Sequence, residues 1–181
     1  MNNKQQIINR AKELGFKFKG SNEYMELSGF SFFTEFILKI YTCNEWKYWD
    51  FYVEFKSKNG KLKHFNTIVY TLKDLEFFYQ YYLYVSSRDI DNNLISDISD
   101  IIKDPDNLNW EVIETCRISD YIEYKLSPVE PMDTDFYFVV EQSLSGSINN
   151  ISMYFNKQES HFDVDSLYEF NILSDFFAKK Y

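Results

Sequence analysis

The residues of this sequence that could do chemistry are two histidines, two cysteines and a large number of carboxylates. A nucleophile relay needs a histidine held between a serine or cysteine and a carboxylate. His64 lies in a predicted strand and His161 in a predicted polar loop, and no serine stands in a Gly-x-Ser-x-Gly motif. We therefore interpret His64 as a packed or rim histidine, and we assign no catalytic residue.

Cofactor and metal motifs are also missing from the sequence. Cys43 and Cys116 are too far apart for a Cys-x-x-Cys pair, and we expect both to be reduced, buried packing residues. Five scattered glycines cannot build a phosphate-binding loop. The stretches 89–91 and 104–109 begin like calcium loops but lack the glycine and the bidentate glutamate of that motif. The sequence thus predicts no cofactor and no dedicated metal site.

The carboxylates dominate the charge of the chain. Its 28 acidic residues outnumber 19 lysines and arginines, which gives a net charge of −9. Such a chain repels nucleic acid and anionic membranes and favours cationic partners. Solubility alone is the alternative explanation. An enzyme that uses dispersed carboxylates also stays open, because spatial pairs of carboxylates are invisible in one sequence.

The charge is unevenly distributed along the chain. Segment 86–109 has six aspartates against one arginine and one lysine, and segment 130–175 has nine acids against one lysine. Acids beside tyrosines suit contacts with a basic protein, since tyrosines supply large, rigid contact area. The predicted partner-binding residues are Asp89, Asp91, Asp97, Asp100, Asp133, Asp135, Asp163, Asp165, Tyr121, Tyr124 and Tyr137.

The first half of the chain predicts a helix over 3–14 and strands between 16 and 70. In residues 49–56 apolar side chains alternate with polar ones, and Asn59-Gly60 follows, which is the preferred type I′ hairpin turn. Pairing across that turn places Phe51 opposite Ile68 and Phe55 opposite His64. Thr71 and Asp74 then predict a helix start. The predicted buried stripe of this helix is Leu72, Leu75, Tyr79, Tyr82 and Leu83.

The second half predicts a short acidic connecting helix within 86–109, ended by Asp104-Pro105-Asp106. Strands are predicted at 110–117, 120–126, 135–142 and 147–155, with Ser145-Gly146 as the last turn. A final helix is predicted over about 164–179, with Asp163 or Asp165 near its start.

The two halves resemble each other. Asp50-Phe-Tyr and Asp135-Phe-Tyr each begin a strand that leads through a glycine turn to a second strand and a helix. We predict an α+β protein of two antiparallel β-hairpin or meander-plus-helix halves around one core, with an internal duplication as a hypothesis. Residues 1–181 are predicted to form a single domain. Its parts are an N-terminal helix and lead-in over 1–30, a first half over 31–85, the connecting helix over 86–109 and a second half over 110–181.

The start of the chain, Met-Asn-Asn-Lys-Gln-Gln, has no apolar region of the kind found in signal peptides. No stretch approaches the roughly 18 apolar residues of a membrane span. We therefore expect a cytoplasmic protein.

The pattern from Phe36 to Tyr181 resembles bacterial immunity proteins of the WapI-like type. The resemblance is carried by Trp49-Asp-Phe-Tyr-Val-Glu-Phe, by Leu72-Lys-Asp-Leu-Glu, by Tyr121-Ile-Glu-Tyr-Lys-Leu, and by the hairpin from Phe136 to Phe155 with its following helix. Such families neutralise a toxin domain by binding it. Small acidic phage inhibitors of bacterial defence nucleases, including anti-CRISPR proteins, have the same general character, and the sequence does not separate the two.

We therefore expect a non-enzymatic inhibitor that neutralises a basic macromolecular enzyme, a nuclease or toxin, by occupying its active or nucleic-acid-binding surface. Direct binding to nucleic acid or membranes is not expected, and a small oligomer is compatible with the sequence. The alternative is a small-molecule-binding or scaffold domain whose aromatic residues line a pocket.

Overall fold

The computed structural model describes residues 3–19, 24–31, 34–42, 49–56, 62–87, 95–103, 110–129, 136–155, 158–164 and 166–180. The chain divides into two compact units, Met1–Asp89 and Ile90–Tyr181. The described residues form four helices and ten strands, and every strand pair within a unit is antiparallel. The protein thus belongs to the α+β class, as predicted, and is rich in strands.

The first unit is a five-stranded meander with a helix at each end of its sequence. Its elements are α1 (Asn3–Glu13), β1 (Lys17–Lys19), β2 (Tyr24–Ser31), β3 (Thr34–Thr42), β4 (Trp49–Lys56), β5 (Leu62–Val69) and α2 (Leu72–Ser87). The strands pair in chain order from β1 to β5. The predicted helix over 3–14 is confirmed: Ile7 and Ala11 are buried, and Gly15 follows it with a φ of +99°.

Strand β4 shows the predicted alternation, with Trp49, Phe51, Val53 and Phe55 buried. Its predicted register with β5 is wrong by one residue, because Phe51 pairs with Thr67 and Phe55 pairs with Lys63. Residues directly opposite each other share a face of the sheet.

The observed register places the buried Phe65 and Val69 on the same face as Phe51. The predicted register would have turned these two apolar side chains to the other face. The Asn59-Gly60 turn itself lies outside the described residues.

Helix α2 begins as predicted. The amides of Tyr70 and Thr71 donate to Asp74 Oδ2 at 2.9 Å each, and the amide of Asp74 donates to Thr71 Oγ1 at 3.3 Å, which is a capping box. Its buried stripe is rotated from the predicted one, however. Tyr79, Leu72 and Leu83 are only partly buried, and the buried positions are Asp74, Leu75, Phe78, Tyr81, Tyr82, Val85 and Ser86.

The second unit repeats the same order of elements. It consists of α3 (Ile98–Lys103), β6 (Trp110–Ile118), β7 (Tyr121–Pro128), β8 (Phe136–Ser143), β9 (Ile148–Phe155), β10 (Gln158–Phe162) and α4 (Leu167–Lys180), and its strands also pair in chain order. The four predicted strands and the Ser145-Gly146 turn are confirmed, with Gly146 at a φ of +102°.

Strand β10 was not predicted, and it places His161 in a strand instead of a loop. It also corrects the alignment of the two halves. The β8–β9 hairpin leads to β10, and only then to a helix. As the fourth strand of its unit, β4 therefore corresponds to β9, whereas the sequence comparison had matched it with β8. The shared order of helix, five strands and helix is nevertheless what a duplication would produce.

Helix α4 covers one face of the strands of the second unit. The rings of Phe170 and Phe138 lie 4.8 Å apart, those of Trp110 and Phe170 lie 5.8 Å apart, and Phe136 stacks on Phe177 at 6.3 Å. Ser166 caps this helix by accepting the amide of Glu169 at 3.2 Å, whereas the sequence analysis placed only Asp163 or Asp165 near its start. None of the helices in the described ranges is long and apolar enough to cross a membrane.

Candidate functional site

The face of strands β6–β10 opposite α4 carries several carboxylates and tyrosines. The strand registers place Glu114 opposite Lys125, Cys116 opposite Glu123, Glu123 opposite Glu141, and Tyr137 opposite Tyr154. We call this surface the glutamate face. It comprises Glu111, Glu114, Cys116, Tyr121, Glu123, Lys125, Tyr137, Val139, Glu141, Asn150, Ser152, Tyr154, Glu159 and His161.

Five glutamates and one lysine lie on the glutamate face. No ion pair or hydrogen bond joins Glu114, Glu123 or Glu141 to another described residue. Two of these carboxylates, Glu123 and Glu141, stand directly opposite each other on neighbouring strands. Like charges in this position destabilise a sheet. The pKa of Tyr121 is raised, first by loss of solvation and then by the charges of Glu123 and Glu141.

Aromatic rings form the second part of this surface. Tyr137 and Tyr154 stack with their ring centres 4.8 Å apart and their planes at 8°. Lys125 Nζ lies 4.1 Å from the centre of the Tyr137 ring, in a cation–π contact. Together with Glu114, Cys116, Glu123 and Val139, these three residues line a cavity of about 230 Å³. Its lining combines two tyrosines and two glutamates with Lys125, and the tyrosines and glutamates suit an alkylammonium or guanidinium group.

Beside the stacked tyrosines lies a row of polar contacts that contains a serine, a histidine and a carboxylate. Ser152 Oγ lies 2.9 Å from His161 Nδ1, and His161 Nε2 lies 3.1 Å from Glu159 Oε1. Tyr154 donates its hydroxyl to the same glutamate oxygen at 2.6 Å, and Asn150 donates to Ser152 Oγ at 3.2 Å. Burial and the hydrogen bond to Glu159 raise the pKa of Tyr154.

The connectivity is that of a serine relay, but the surroundings do not fit one. Ser152 is only 4% exposed, so a substrate cannot reach its hydroxyl. Acyl transfer also needs amide donors aimed at the developing oxyanion. Strand β9 pairs with Val139 of β8 on one side of Ser152 and with His161 of β10 on the other, so its amides serve the sheet. The two hydrogen bonds instead hold the Tyr154 hydroxyl on Glu159 and the His161 ring on Ser152.

The structure separates the tyrosines that the sequence grouped together. Tyr121 and Tyr137 lie on the glutamate face, whereas Tyr124 lies on the opposite face, where it pairs with Val140 beside the buried Leu126. Asp163 follows β10 and is partly buried. Asp89, Asp91, Asp133, Asp135 and Asp165 lie outside the described residues.

Asp97 and Asp100 have local partners at the start of α3. Asp100 Oδ2 accepts the amide of Ser96 at 2.7 Å and that of Asp97 at 3.2 Å, and Asp97 accepts the amide of Ser99. These contacts form a capping box, and the hydrogen bonds from Ser96 lower the pKa of Asp100. Both carboxylates thus have a local structural role, and the binding role that the sequence suggested for them stays a prediction.

Sequence reasoning missed most of the glutamate face, because its members come from five strands. One signal was available: in Tyr121-Ile-Glu123-Tyr-Lys125, alternation places a tyrosine, a glutamate and a lysine together. The prediction that Cys116 is buried is wrong, because it lies exposed on β6, while Cys43 lies outside the described residues. Within the described ranges no cluster of three or more histidine, cysteine or acidic residues could hold a metal ion.

The corresponding face of strands β1–β5 has a different composition. Lys39 Nζ lies 5.8 Å from the ring centre of Tyr24, and Tyr24 lies 5.3 Å from Tyr41. His64 is exposed and pairs with Glu54, so it is a rim histidine as expected, although with a different neighbour. This face lacks a directly opposed pair of acids in the described registers.

No protein-family model, no curated protein and no solved structure matches the chain.

Proposed function

We propose that this protein binds a basic macromolecular enzyme, a nuclease or toxin, through the glutamate face, and that it inhibits the enzyme by occupying its active or nucleic-acid-binding surface without catalysing a reaction itself. The observation that carries the proposal is the direct cross-strand pair of Glu123 and Glu141. Acids placed apart from each other would keep the protein equally soluble. Two acids directly opposite each other weaken the sheet by an amount on the order of 0.2–1 kcal/mol. A cationic partner would relieve that repulsion.

The geometry of the face supports this proposal. Directly opposed residues on neighbouring strands have Cβ atoms about 5 Å apart, so Glu123 and Glu141 present two anionic groups close together. A groove that binds nucleic acid is lined with lysine and arginine to neutralise closely spaced phosphates. Glu114, Glu123 and Glu141 have no described partners of their own and are available to such cations.

Charge and tyrosines have separate roles in this proposal. The carboxylates steer the approach of the partner and make the association rate depend on salt. The stacked Tyr137 and Tyr154 supply rigid contact area that salt does not screen. The complex should therefore keep part of its affinity at high ionic strength.

A second candidate function is the binding of a small organic cation, which the cavity beside Tyr137 favours. Its volume of about 230 Å³ is small for a metabolite pocket. It suits one cationic side chain of a protein partner better than a separate ligand.

The test compares three baits in one lysate experiment with quantitative mass spectrometry. The parent protein is set beside the Glu123→Lys/Glu141→Lys variant and beside Glu13→Lys/Glu76→Lys, which changes the net charge equally on the helices of the first unit. We expect the parent and the first-unit control to capture a basic enzyme that the glutamate-face variant does not capture. The parent protein should also inhibit the activity of that enzyme once the enzyme is purified. A partner that binds all three baits equally would contradict the proposal.

A further inference from the structure

Strand β6 forms one edge of the sheet. It pairs with β7 along one side, and in the described part of the chain no strand pairs with its other side. Residues 111–117 are all exposed, which is a run of seven consecutive positions. Alternate amides and carbonyls along this edge are therefore open to a further strand.

Proteins usually protect such edges, and the edge of the first unit shows how. Strand β1 has only three residues, Lys17, Phe18 and Lys19, so it is short and carries two lysines. Strand β6 has nine residues and exposes Val112 and Ile113 at 37% and 51%. Its single irregularity is a register shift between Val112 and Glu114, and from Glu114 to Ile118 its pairing with β7 is regular.

The side chains of β6 indicate what would pair with it. Glu114 and Cys116 project onto the glutamate face, and Glu123 lies on the neighbouring strand directly opposite Cys116. A strand added to this edge would place alternate side chains beside Glu114 and within reach of Glu123. Lysine or arginine at those positions would meet carboxylates that have no described partner.

We propose that β6 is the docking edge for the partner, which adds an extended segment to the sheet with lysine or arginine on the side of the glutamate face. The inference rests on the proposed function, because the charge of the segment is that expected of a basic partner. It goes further by assigning a binding mode in which main-chain hydrogen bonds give affinity and alternate side chains give specificity.

The test uses a defined peptide with the whole protein. The probe is an acetylated decapeptide of alternating threonine and lysine, and its counterpart has glutamate in place of lysine. Two further versions of the lysine peptide carry backbone N-methyl groups, either on all threonines or on all lysines. A strand that joins a sheet edge uses only one alternating set of its amides. Affinities are measured by titration, and amide exchange in β6 is followed by NMR.

We expect the lysine peptide to bind and to slow exchange at alternate amides of β6. One N-methylated version should bind at least tenfold more weakly while the other binds like the parent peptide, and Glu114→Lys should weaken binding of the lysine peptide at least threefold. If both N-methylated versions bind like the unmodified lysine peptide, the inference that β6 is the docking edge is overturned, while the binding of cationic groups to the glutamate face stands. If the lysine and glutamate peptides bind equally, both proposals fail. If β6 amides are already protected in a self-associated protein, a second copy occupies the edge and the inference is overturned.

Discussion

The capping carboxylate of α2 allows the sharpest prediction about stability. Asp74 is fully buried and accepts the amides of Tyr70 and Thr71 at 2.9 Å each. Replacing it with alanine removes the acceptor of two main-chain donors at the point where β5 leads into the helix. Two rings of α2 also depend on this geometry, since Phe78 and Tyr82 contact Phe51 and Phe55 of β4.

The magnitude follows from the two hydrogen bonds. A typical hydrogen bond contributes about 0.5–1.5 kcal/mol, loss of a helix cap typically costs about 0.5–2 kcal/mol, and a buried donor left without an acceptor costs about 1–3 kcal/mol. Because the two bonds share one oxygen and their energies are not additive, we expect Asp74→Ala to lower the free energy of unfolding by about 2–4 kcal/mol. With a urea m-value of about 2 kcal/mol/M, the unfolding midpoint shifts by about 1–2 M.

Glu76 supplies the matched control on the same helical turn. Its carboxylate pairs with Arg10 Nε at 3.1 Å, but both side chains are well exposed, at 49% and 38%. Exposed ion pairs contribute about 0–1 kcal/mol, so Glu76→Ala should shift the urea midpoint by less than about 0.5 M. Both variants are followed by circular dichroism and tryptophan fluorescence. Equal midpoints for Asp74→Ala and Glu76→Ala would refute the reasoning that the buried cap stabilises this unit.

Four further predictions follow. Gly146→Val should cost about 1–3 kcal/mol in urea unfolding, since a β-branched residue is strained at a φ of +102°, and an unchanged midpoint would contradict this turn. Folding lowers the pKa of Asp100 below its ordinary value of 3.8, so this carboxylate contributes its full stabilisation above pH 3.8 and loses it as the pH falls through the pKa of the folded protein. The amide resonance of Ser96, which donates to Asp100, should therefore titrate below pH 3.8. Cys116 should react with a thiol reagent at close to the rate of an unfolded control, because it is exposed, and slow labelling would show that it is covered. Ser152 should not react with a fluorophosphonate probe, because it is buried. If the probe labels the parent protein but not the Ser152→Ala variant, Ser152 is a nucleophile and this prediction is wrong.

Local signals in the sequence predicted the elements well. The alternation in β4 and the Thr71–Asp74 capping pattern each depend on neighbouring residues, and both are confirmed. The β4–β5 register could not be taken from the turn alone, because burial of Phe65 and Val69 selected a register one residue away. Strand β10 was missed because its five residues include Gln158, Glu159 and His161 and have no apolar run.

The candidate site was harder to predict than the fold, because its members are brought together by strand pairing. Glu114 meets Lys125, and Glu123 meets Glu141, only once the registers of β6, β7 and β8 are known. A bulge between Val112 and Glu114 changes which residues of β6 lie on each face of the sheet. The alternation of apolar and polar residues in the sequence does not reveal this change. The net charge of each segment therefore predicted that the aspartates of 86–109 bind the partner. Two of these aspartates cap α3 instead.

We propose that Glu123 and Glu141 are kept opposite each other for binding, at some loss of stability. The single variant Glu141→Lys replaces a repulsive cross-strand pair by an attractive one, so it should fold at least as stably as the parent. The most direct test is its association rate with the captured basic enzyme, measured beside the parent from low salt to 1 M, where the Debye length falls to about 3 Å. We predict an association rate at least fivefold slower than the parent's at low salt, and rates that converge as salt rises. Equal rates for variant and parent at low salt, in a variant that folds normally, would contradict the claim.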